Sequence, residues 1–194
     1  GDCSCTPDMS AIPGRQRLTT RSIVIAAGAR PFVPPIPGLD EIGYLTSDTL
    51  WDLRELPRRL VVLGGGPIGA ELAQAFARLG SRVTQVEMLP RILIREDPEV
   101  SALVTERFRA DGIEVLTEHK AKRFLVEGGE KVLIAEHGGG DRRIPFDAVL
   151  VAVGRVANLT GYGLEELGLA GGRTVETNEF LETISLAPPH AENA

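Results

Sequence analysis

Glycines at positions 64, 66 and 69 have the residue type and the spacing of a phosphate-binding turn. They stand in LVVLGGGPIG, residues 60–69, where an apolar run leads directly into G-x-G-x-x-G. In such a turn the first glycine permits a tight bend, the second lets backbone approach a pyrophosphate, and the third lets the helix pack closely. Unpaired amides and the helix dipole attract the phosphate. A glycine-rich loop that binds nothing is the alternative, and the strand–turn–helix context favours the phosphate site.

An acidic residue follows the turn at the distance of a ribose ligand. Glu87 ends the run RVTQVE, about 20 residues after the glycines, where a carboxylate can accept hydrogen bonds from an adenosine ribose. Its charge also repels a 2′-phosphate, so the sequence predicts NAD(H) rather than NADP(H). A solvated glutamate at a strand end is the alternative. Arg91 and Arg95 could in principle receive a 2′-phosphate, but with Glu87 in place we interpret them as surface or pyrophosphate-side groups.

Three other groups of residues have types that could form a site. Glu71 lies early in the predicted helix, where an acid either complements the helix dipole or reaches toward a bound nicotinamide. The glycines of residues 138–140 lack a surrounding strand–turn–helix pattern, so no phosphate site is predicted there. Cys3 and Cys5 are the only cysteines, and because the three histidines are scattered along the sequence, we predict an exposed tail and no metal site.

The elements that position these residues follow from apolar periodicity. Buried strands are predicted at 22–28, 60–63, 82–87, 113–116 and 147–154, with a hairpin made by RFLVE and KVLIAE. A short helix is predicted at 48–57, with Leu50, Leu53 and Trp51 on one face. The order strand–helix–strand–helix–strand, then a small meander and a last strand, predicts an α/β fold with a Rossmann-like doubly wound parallel sheet.

Two longer helices connect the parallel strands. The first follows the glycine turn and ends at Gly80; the second has Asp97 as N-cap and Pro98 at its first position, and ends at Gly112. The apolar stripe of the first is Ile68, Leu72, Phe76 and Leu79, and that of the second is Val100, Leu103, Val104 and Phe108.

Composition limits the classes of partner. The chain has 194 residues, a net charge of −6 and a pI near 5.2, without a block of lysine or arginine. Nucleic acid and anionic membranes are therefore disfavoured as partners. No apolar run approaches the length of a membrane span and no leader is visible. We expect a cytoplasmic protein without disulfides.

Four segments, in order, resemble the pyridine nucleotide–disulfide oxidoreductases, and most of all their mercuric reductase and dihydrolipoamide dehydrogenase branch. They are TTRSIVIAAGARPFVPPIPG, LVVLGGGPIGAELAQAFARLGSRVTQVE, REDPEVSALVTERFRADGIEV and FDAVLVAVGRVANLTGYGLEELGL. AAGARP resembles the family's A-T-G strand end near the flavin nucleotide, with Ala27 in place of threonine. AVGRVAN resembles its V-G-R-x-P-N connector, with Ala157 in place of proline. The resemblance covers roughly residues 17–182.

The resemblance implies an NAD(P) domain inserted between two segments of an FAD domain. The residues expected at the coenzyme pyrophosphate are Gly64, Gly66, Pro67, Ile68 and Gly69. Glu87 would hold the adenosine ribose, while Glu71 and Gly154 would lie toward the nicotinamide. In the family, hydride passes from NAD(P)H to flavin and then to a cysteine pair.

The same resemblance implies a division of the chain. Residues 1–16 are expected to be a tail or junction, 17–58 an FAD-domain fragment and connector, 59–140 the NAD-binding domain, 141–182 the return connector and 183–194 a tail.

Several motifs of the family are absent. These are the first G-x-G-x-x-G for FAD, the C-x4-C pair, the later G-D after FLET, and the C-terminal dimerisation domain with its catalytic histidine. We therefore expect a central piece of a larger homodimeric enzyme that binds NAD(H), uses FAD only in the full-length protein and carries no catalytic residue itself. The alternatives are a stand-alone, non-catalytic NAD-sensing module, or the same domain in a flavoprotein NADH oxidase or a ferredoxin reductase.

Overall fold

A four-stranded parallel sheet carries the glycine turn in the computed structural model, which describes residues 20–169 and 172–184. In chain order the strands are β1 (Ala29–Pro31), β2 (Arg59–Leu63), β3 (Arg82–Val86), β4 (Glu114–Leu116), β5 (Lys120–Glu127), β6 (Glu130–His137), β7 (Gly140–Phe146), β8 (Ala148–Val151) and β9 (Arg155–Ala157). The helices are α1 (Leu39–Ile42), α2 (Pro67–Leu79) and α3 (Pro98–Ala110), and a single 3-10 turn covers Leu50–Asp52.

The parallel sheet has the strand order β4-β3-β2-β8, and α2 and α3 form its crossovers. Strand β2 lies in the interior of the sheet because four consecutive apolar residues, 60–63, can be buried on both faces. The predicted α/β fold with a parallel sheet and a small antiparallel meander is confirmed.

Different layers cover the two faces of this sheet. On one face, Val61 and Val149 contact the meander β5-β6-β7 through Leu133 and Phe146. The opposite face packs against α2 and α3, and its core includes Val62, Leu150, Ala73, Phe76 and Phe108. The sheet is therefore buried on both sides, which fixes the ends of its strands in space.

Two predicted elements are wrong. Residues 22–28 form no strand, and Ile23 is 80% exposed. A strand needs a neighbouring strand to pair with, and among the described residues no strand pairs with this segment. The predicted helix at 48–57 shrinks to the 3-10 turn. Leu50 is buried there, but Trp51 is 71% exposed and its indole donates a hydrogen bond to the Ser47 carbonyl.

The apolar stripes predicted for the two longer helices are only partly correct. In α2 the buried residues are Gly69, Ala70, Ala73 and Phe76, whereas Leu79 is exposed. Small side chains occupy this face because the helix approaches the sheet closely. In α3, Phe108 is buried but Val100 and Leu103 are exposed. Gly80 and Gly112 have positive φ just after the helices, as expected.

The segments AAGARP, which resembles the family's strand end, and AVGRVAN, which resembles its connector, run side by side. Strand β1 pairs antiparallel with β9, with Ala29 opposite Ala157. Asn158 reinforces the pair, because its amide group donates to the Ala27 carbonyl at 2.9 Å and its backbone N–H donates to Gly28 at 3.0 Å. The chain therefore enters and leaves the parallel sheet through one antiparallel ribbon.

Strand β7 was not predicted, although it completes the meander. It pairs with β6 along its length and β8 follows almost directly. The expected boundary between segments 59–140 and 141–182 falls at the start of β7. Both segments therefore contribute strands to the meander and to the parallel sheet. The division into domains itself stays a prediction. Within the described part of the chain, every helix is too short or too polar to cross a membrane.

Candidate dinucleotide site

Gly64 forms the bend that ends β2. Its φ of +112° lies in a region that favours glycine, and its amide donates to the Val86 carbonyl of β3 at 2.8 Å. A Cβ atom at Gly64 would lie 2.4 Å from the carbonyl oxygen of Ala152, just beyond β8. The chain can turn here only without a side chain.

Gly69 allows α2 to approach the turn. A Cβ atom there would lie 2.4 Å from the carbonyl oxygen of Gly64, which is closer than carbon and oxygen can stand. The helix begins at Pro67, whose missing N–H costs nothing at the first helical position. The N-terminus of α2 is therefore held against the end of β2.

Gly66 differs from the other two because a Cβ atom there would meet no heavy atom within 4 Å. Among the described residues, the backbone amides of Gly66, Ile68 and Gly69 donate to no carbonyl oxygen. Free amides at a helix N-terminus, beside open space, are a suitable donor set for a phosphate group.

The carboxylate of Glu87 lies against this turn. Its Oε2 accepts a hydrogen bond from the Gly65 amide at 2.5 Å, and its Oε1 accepts one from the Leu89 amide at 2.8 Å. A Cβ atom at Gly65 would lie 2.9 Å from Oε2. Gly65 has no role in the sequence-based prediction, although the run of three glycines is a signal that the backbone needs a further close approach here.

The two arginines that follow Glu87 are not equivalent. Arg91 donates to the carbonyl oxygens of Ile94 and Glu96 at 2.9 and 2.8 Å, and at 3.4 Å to that of Leu93. Arg95 is exposed and makes no side-chain hydrogen bond or ion pair within the described residues. The donors of Arg91 are thus directed into its own loop, away from an incoming phosphate.

Gln85 is a residue of the site that sequence analysis missed. It is fully buried in β3, and its Nε2 donates to the Gly64 carbonyl at 3.0 Å. Among the described residues, its Oε1 is the one buried side-chain nitrogen or oxygen atom without a hydrogen-bond partner. Gln85 therefore fixes the carbonyl that Gly69 approaches.

The remaining predicted residues lie around this centre. Glu71 is exposed in the second turn of α2, so the first turn holds no acid and the dipole alternative loses its support. Gly154 has a φ of +139° and its carbonyl accepts from the Phe32 amide at 2.9 Å. It follows β8 at the same edge of the sheet, two residues after Ala152.

Two of the histidines, although far apart in the sequence, meet in the structure. His119 and His137 stack with ring centroids 4.3 Å apart, because β5 and β6 pair antiparallel and bring their ends together. No group of three potential metal ligands occurs in residues 20–169 and 172–184. Cys3, Cys5 and His190 lie outside the described residues.

Comparisons with known proteins identify the family of this chain. A family model described as pyridine nucleotide-disulphide oxidoreductase matches residues 5–187. The chain is 37% identical to a mercuric reductase of Staphylococcus aureus, covering 94% of this chain and 34% of that protein. It is 35% identical to a dihydrolipoyl dehydrogenase of Acholeplasma laidlawii, covering 87% of this chain and 50% of that protein.

Solved structures lead to the same family. The fold superposes on the HOCl-induced flavoprotein disulfide reductase of Escherichia coli with a TM-score of 0.73 at 32% identity, covering 82% of this chain and 36% of that one. The chain thus spans between a third and a half of these relatives. The family uses FAD and a pyridine nucleotide. The chain belongs to the pyridine nucleotide-disulphide oxidoreductase family.

Proposed function

We propose that this chain is the NAD(H)-binding domain of an FAD-dependent pyridine nucleotide–disulfide oxidoreductase. The observation that carries the proposal is the Glu87 carboxylate hydrogen-bonded to the Gly65 amide, inside a glycine turn that opens a helix. Such a turn provides amides for a pyrophosphate, and the acid beside it provides acceptors for ribose hydroxyls.

The donor set fits the two halves of the coenzyme backbone. The pyrophosphate would lie over the open space at Gly66, facing the free amides of Ile68 and Gly69. Gly64 and Pro67 shape the turn beneath it. Glu87 would receive the adenosine ribose, while Glu71 and Gly154 are proposed toward the nicotinamide.

We propose NAD(H) rather than NADP(H) as the coenzyme. A 2′-phosphate at the ribose would stand beside the Glu87 carboxylate, and two like charges about 4 Å apart repel by a few kcal/mol at an effective dielectric constant near 20. Arg91, one of the two arginines that follow Glu87, donates to carbonyl oxygens of its own loop. The site therefore favours an unmodified ribose.

In the complete enzyme, the bound nicotinamide would supply hydride to the flavin, which would pass electrons to a disulfide or metal-type substrate. The relatives named as mercuric reductase and flavoprotein disulfide reductase support this substrate class. The role of this chain would be to bind and orient the coenzyme. We propose that the 194-residue chain alone binds NADH without oxidising it, and that the whole protein is a cytoplasmic homodimer.

Calorimetric titration of the chain with NADH and NADPH tests the proposal. We expect NADH to bind at least about tenfold more tightly than NADPH. The Glu87→Gln variant should bind NADH more weakly, and its NADH and NADPH affinities should differ less. Glu96→Gln, a neighbouring exposed acid in the loop after β3, is the matched control and should bind like the wild type. Binding that favours NADPH, or no binding of either coenzyme, would overturn the proposal.

A further inference from the structure

The guanidinium group of Arg91 organises the loop that follows the proposed ribose acid. Nη1 donates to the carbonyl oxygens of Leu93 and Glu96, and Nη2 to that of Ile94. No carboxylate forms an ion pair with it among the described residues. The planar guanidinium group spreads its donors over separate nitrogen atoms, whereas the three donors of lysine share one nitrogen and cannot reproduce this spacing.

This loop is fastened to the glycine turn. Leu93 adopts a left-handed conformation, with φ of +51°, and its amide donates to the Gly65 carbonyl at 2.7 Å. Ile92 is fully buried, and its Cγ2 lies 2.9 Å from the position of a Cβ atom at Gly65. The carbonyl of Ile92 accepts from the Ser101 hydroxyl of α3 at 2.6 Å. A non-glycine residue holds a left-handed conformation only where its surroundings enforce it.

The peptide groups around Gly65 connect the loop to the acid. The carbonyl of Gly65 accepts from Leu93, and its amide donates to Glu87. A change in the loop therefore reaches the carboxylate through one residue, without contact between Arg91 and the coenzyme.

We propose that Arg91 is a positioning residue for coenzyme recognition: it folds residues 91–96 so that Gly65 holds the Glu87 carboxylate ready for an unphosphorylated ribose. This inference rests on the proposed function of the site. In this role Arg91 does not bind a 2′-phosphate. Its donors bind the carbonyl oxygens of its own loop, and the folded loop favours NAD(H).

The experiment compares Arg91→Lys and Arg91→Gln with Arg95→Lys and Arg95→Gln in the full 194-residue chain. Arg95 provides the matched control, since it lies in the same loop, carries the same charge and makes no side-chain hydrogen bond within the described residues. Affinities for NADH and NADPH are measured by calorimetry. The Gly65 amide is followed by NMR in the ligand-free protein, through its chemical shift and its hydrogen-exchange protection.

We expect both Arg91 variants to bind NADH about three- to tenfold more weakly, with a smaller NADH-to-NADPH ratio, and to lose protection at Gly65. The lysine variant keeps the charge, so it separates loop geometry from electrostatics and remains informative if the glutamine variant folds poorly. Both Arg95 variants should stay within about twofold of the wild type. An NADH affinity unchanged in both Arg91 variants, or a loss of affinity confined to NADPH, would overturn the inference.

The ligand-free NMR measurement keeps this inference separate from the proposed function. If the wild type binds neither coenzyme, the proposed function fails, but an altered Gly65 amide in the Arg91 variants alone would still support the link from Arg91 to Gly65. If the wild type prefers NADH and the Arg91 variants do too, with the same affinity, only the inference about Arg91 fails.

Discussion

A Cβ atom at Gly69 would stand 2.4 Å from the carbonyl oxygen of Gly64. That distance makes glycine a requirement of folding at position 69, because the N-terminus of α2 must otherwise move away from β2. At Gly66, by contrast, a Cβ atom would meet nothing within 4 Å. The glycines of one motif therefore serve two different needs, packing and ligand access, and mutations can measure them separately.

Gly66→Ala tests ligand access. The new methyl group meets no protein atom, and φ of −74° suits alanine, so the melting temperature should stay within about a degree or two of the wild type. The methyl group enters the space proposed for the pyrophosphate, so NADH affinity should fall at least about tenfold. Thermal melts and calorimetry check both halves. An unchanged affinity would mean that the pyrophosphate does not lie over Gly66.

Gly69→Ala tests packing. The overlap with the Gly64 carbonyl forces α2 to shift, and we expect a loss of about 1–3 kcal/mol in the free energy of unfolding. Chemical denaturation measures it, with Ala75→Gly on the exposed side of α2 as a comparison that costs only the helix propensity of about 1 kcal/mol. A Gly69→Ala variant as stable as the wild type, or more stable, would contradict the close approach of helix and turn.

Gln85→Glu tests the buried amide that holds the turn. A carboxyl group there can donate to the Gly64 carbonyl only when protonated, and burial would raise its folded pKa above the ordinary value of about 4.3. A raised folded pKa means that the unfolded state loses its proton first, so the variant becomes less stable as the pH rises. Gln85→Met, of similar shape, should show a deficit of about 1 kcal/mol that does not vary with pH. Chemical denaturation at several pH values distinguishes the two variants. If the free energies of unfolding of both variants change with pH in the same way, the buried contact between residue 85 and the Gly64 carbonyl is refuted.

Asp147→Asn tests the opposite edge of the sheet. The Arg59 guanidinium and amide donate to the Asp147 carboxylate, and these hydrogen bonds hold the pKa of Asp147 below its ordinary value of 3.8. The stabilisation is therefore complete above pH 3.8 and disappears as the pH falls through the lower folded value. Both side chains are about one-third exposed, so we expect a loss of only about 1 kcal/mol at neutral pH.

The measurement is the free energy of unfolding of Asp147→Asn and the wild type at neutral and at strongly acidic pH. Glu130→Gln is the companion variant, since Arg59 also pairs with Glu130 but keeps its bonds to Asp147 in that variant. A deficit of Asp147→Asn that persists undiminished in acid would show that the charge of Asp147 does not cause it.

The parts of the fold predicted from sequence are those set by local signals. The apolar run before Gly64 and the positive-φ glycines after α2 and α3 required only neighbouring residues. The sequence pattern does not predict strand β7, because only Ile144 and Phe146 are buried in it and because proline at position 145 is unfavourable in a strand. As an edge strand of the meander, β7 tolerates that proline. For residues 22–28 the error is the reverse: a strand is predicted and none is formed, since apolar character alone provides no neighbouring strand.

The site shows the same division. Spacing placed Glu87 near the glycine turn, but its bond to Gly65 depends on how β2 and β3 align. Gln85 looked like an unremarkable polar residue in a strand, because its partner, the Gly64 carbonyl, comes from the neighbouring strand. From the sequence alone Arg91 is a possible phosphate ligand, whereas in the structure it donates to carbonyl oxygens of its own loop. Contacts between strand ends are tertiary, and a single sequence does not encode them in any local pattern.

The most direct test of the account is an NMR titration of the isotope-labelled chain with NADH, followed at the backbone amides. If the glycine turn binds the pyrophosphate and Glu87 the ribose, the largest shifts should occur at Gly65, Gly66, Ile68 and Gly69, with smaller ones at Leu89. Saturating NADH that leaves these amides unmoved, or that shifts residues at the opposite edge of the sheet near Arg59 and Asp147 instead, would contradict the central claim.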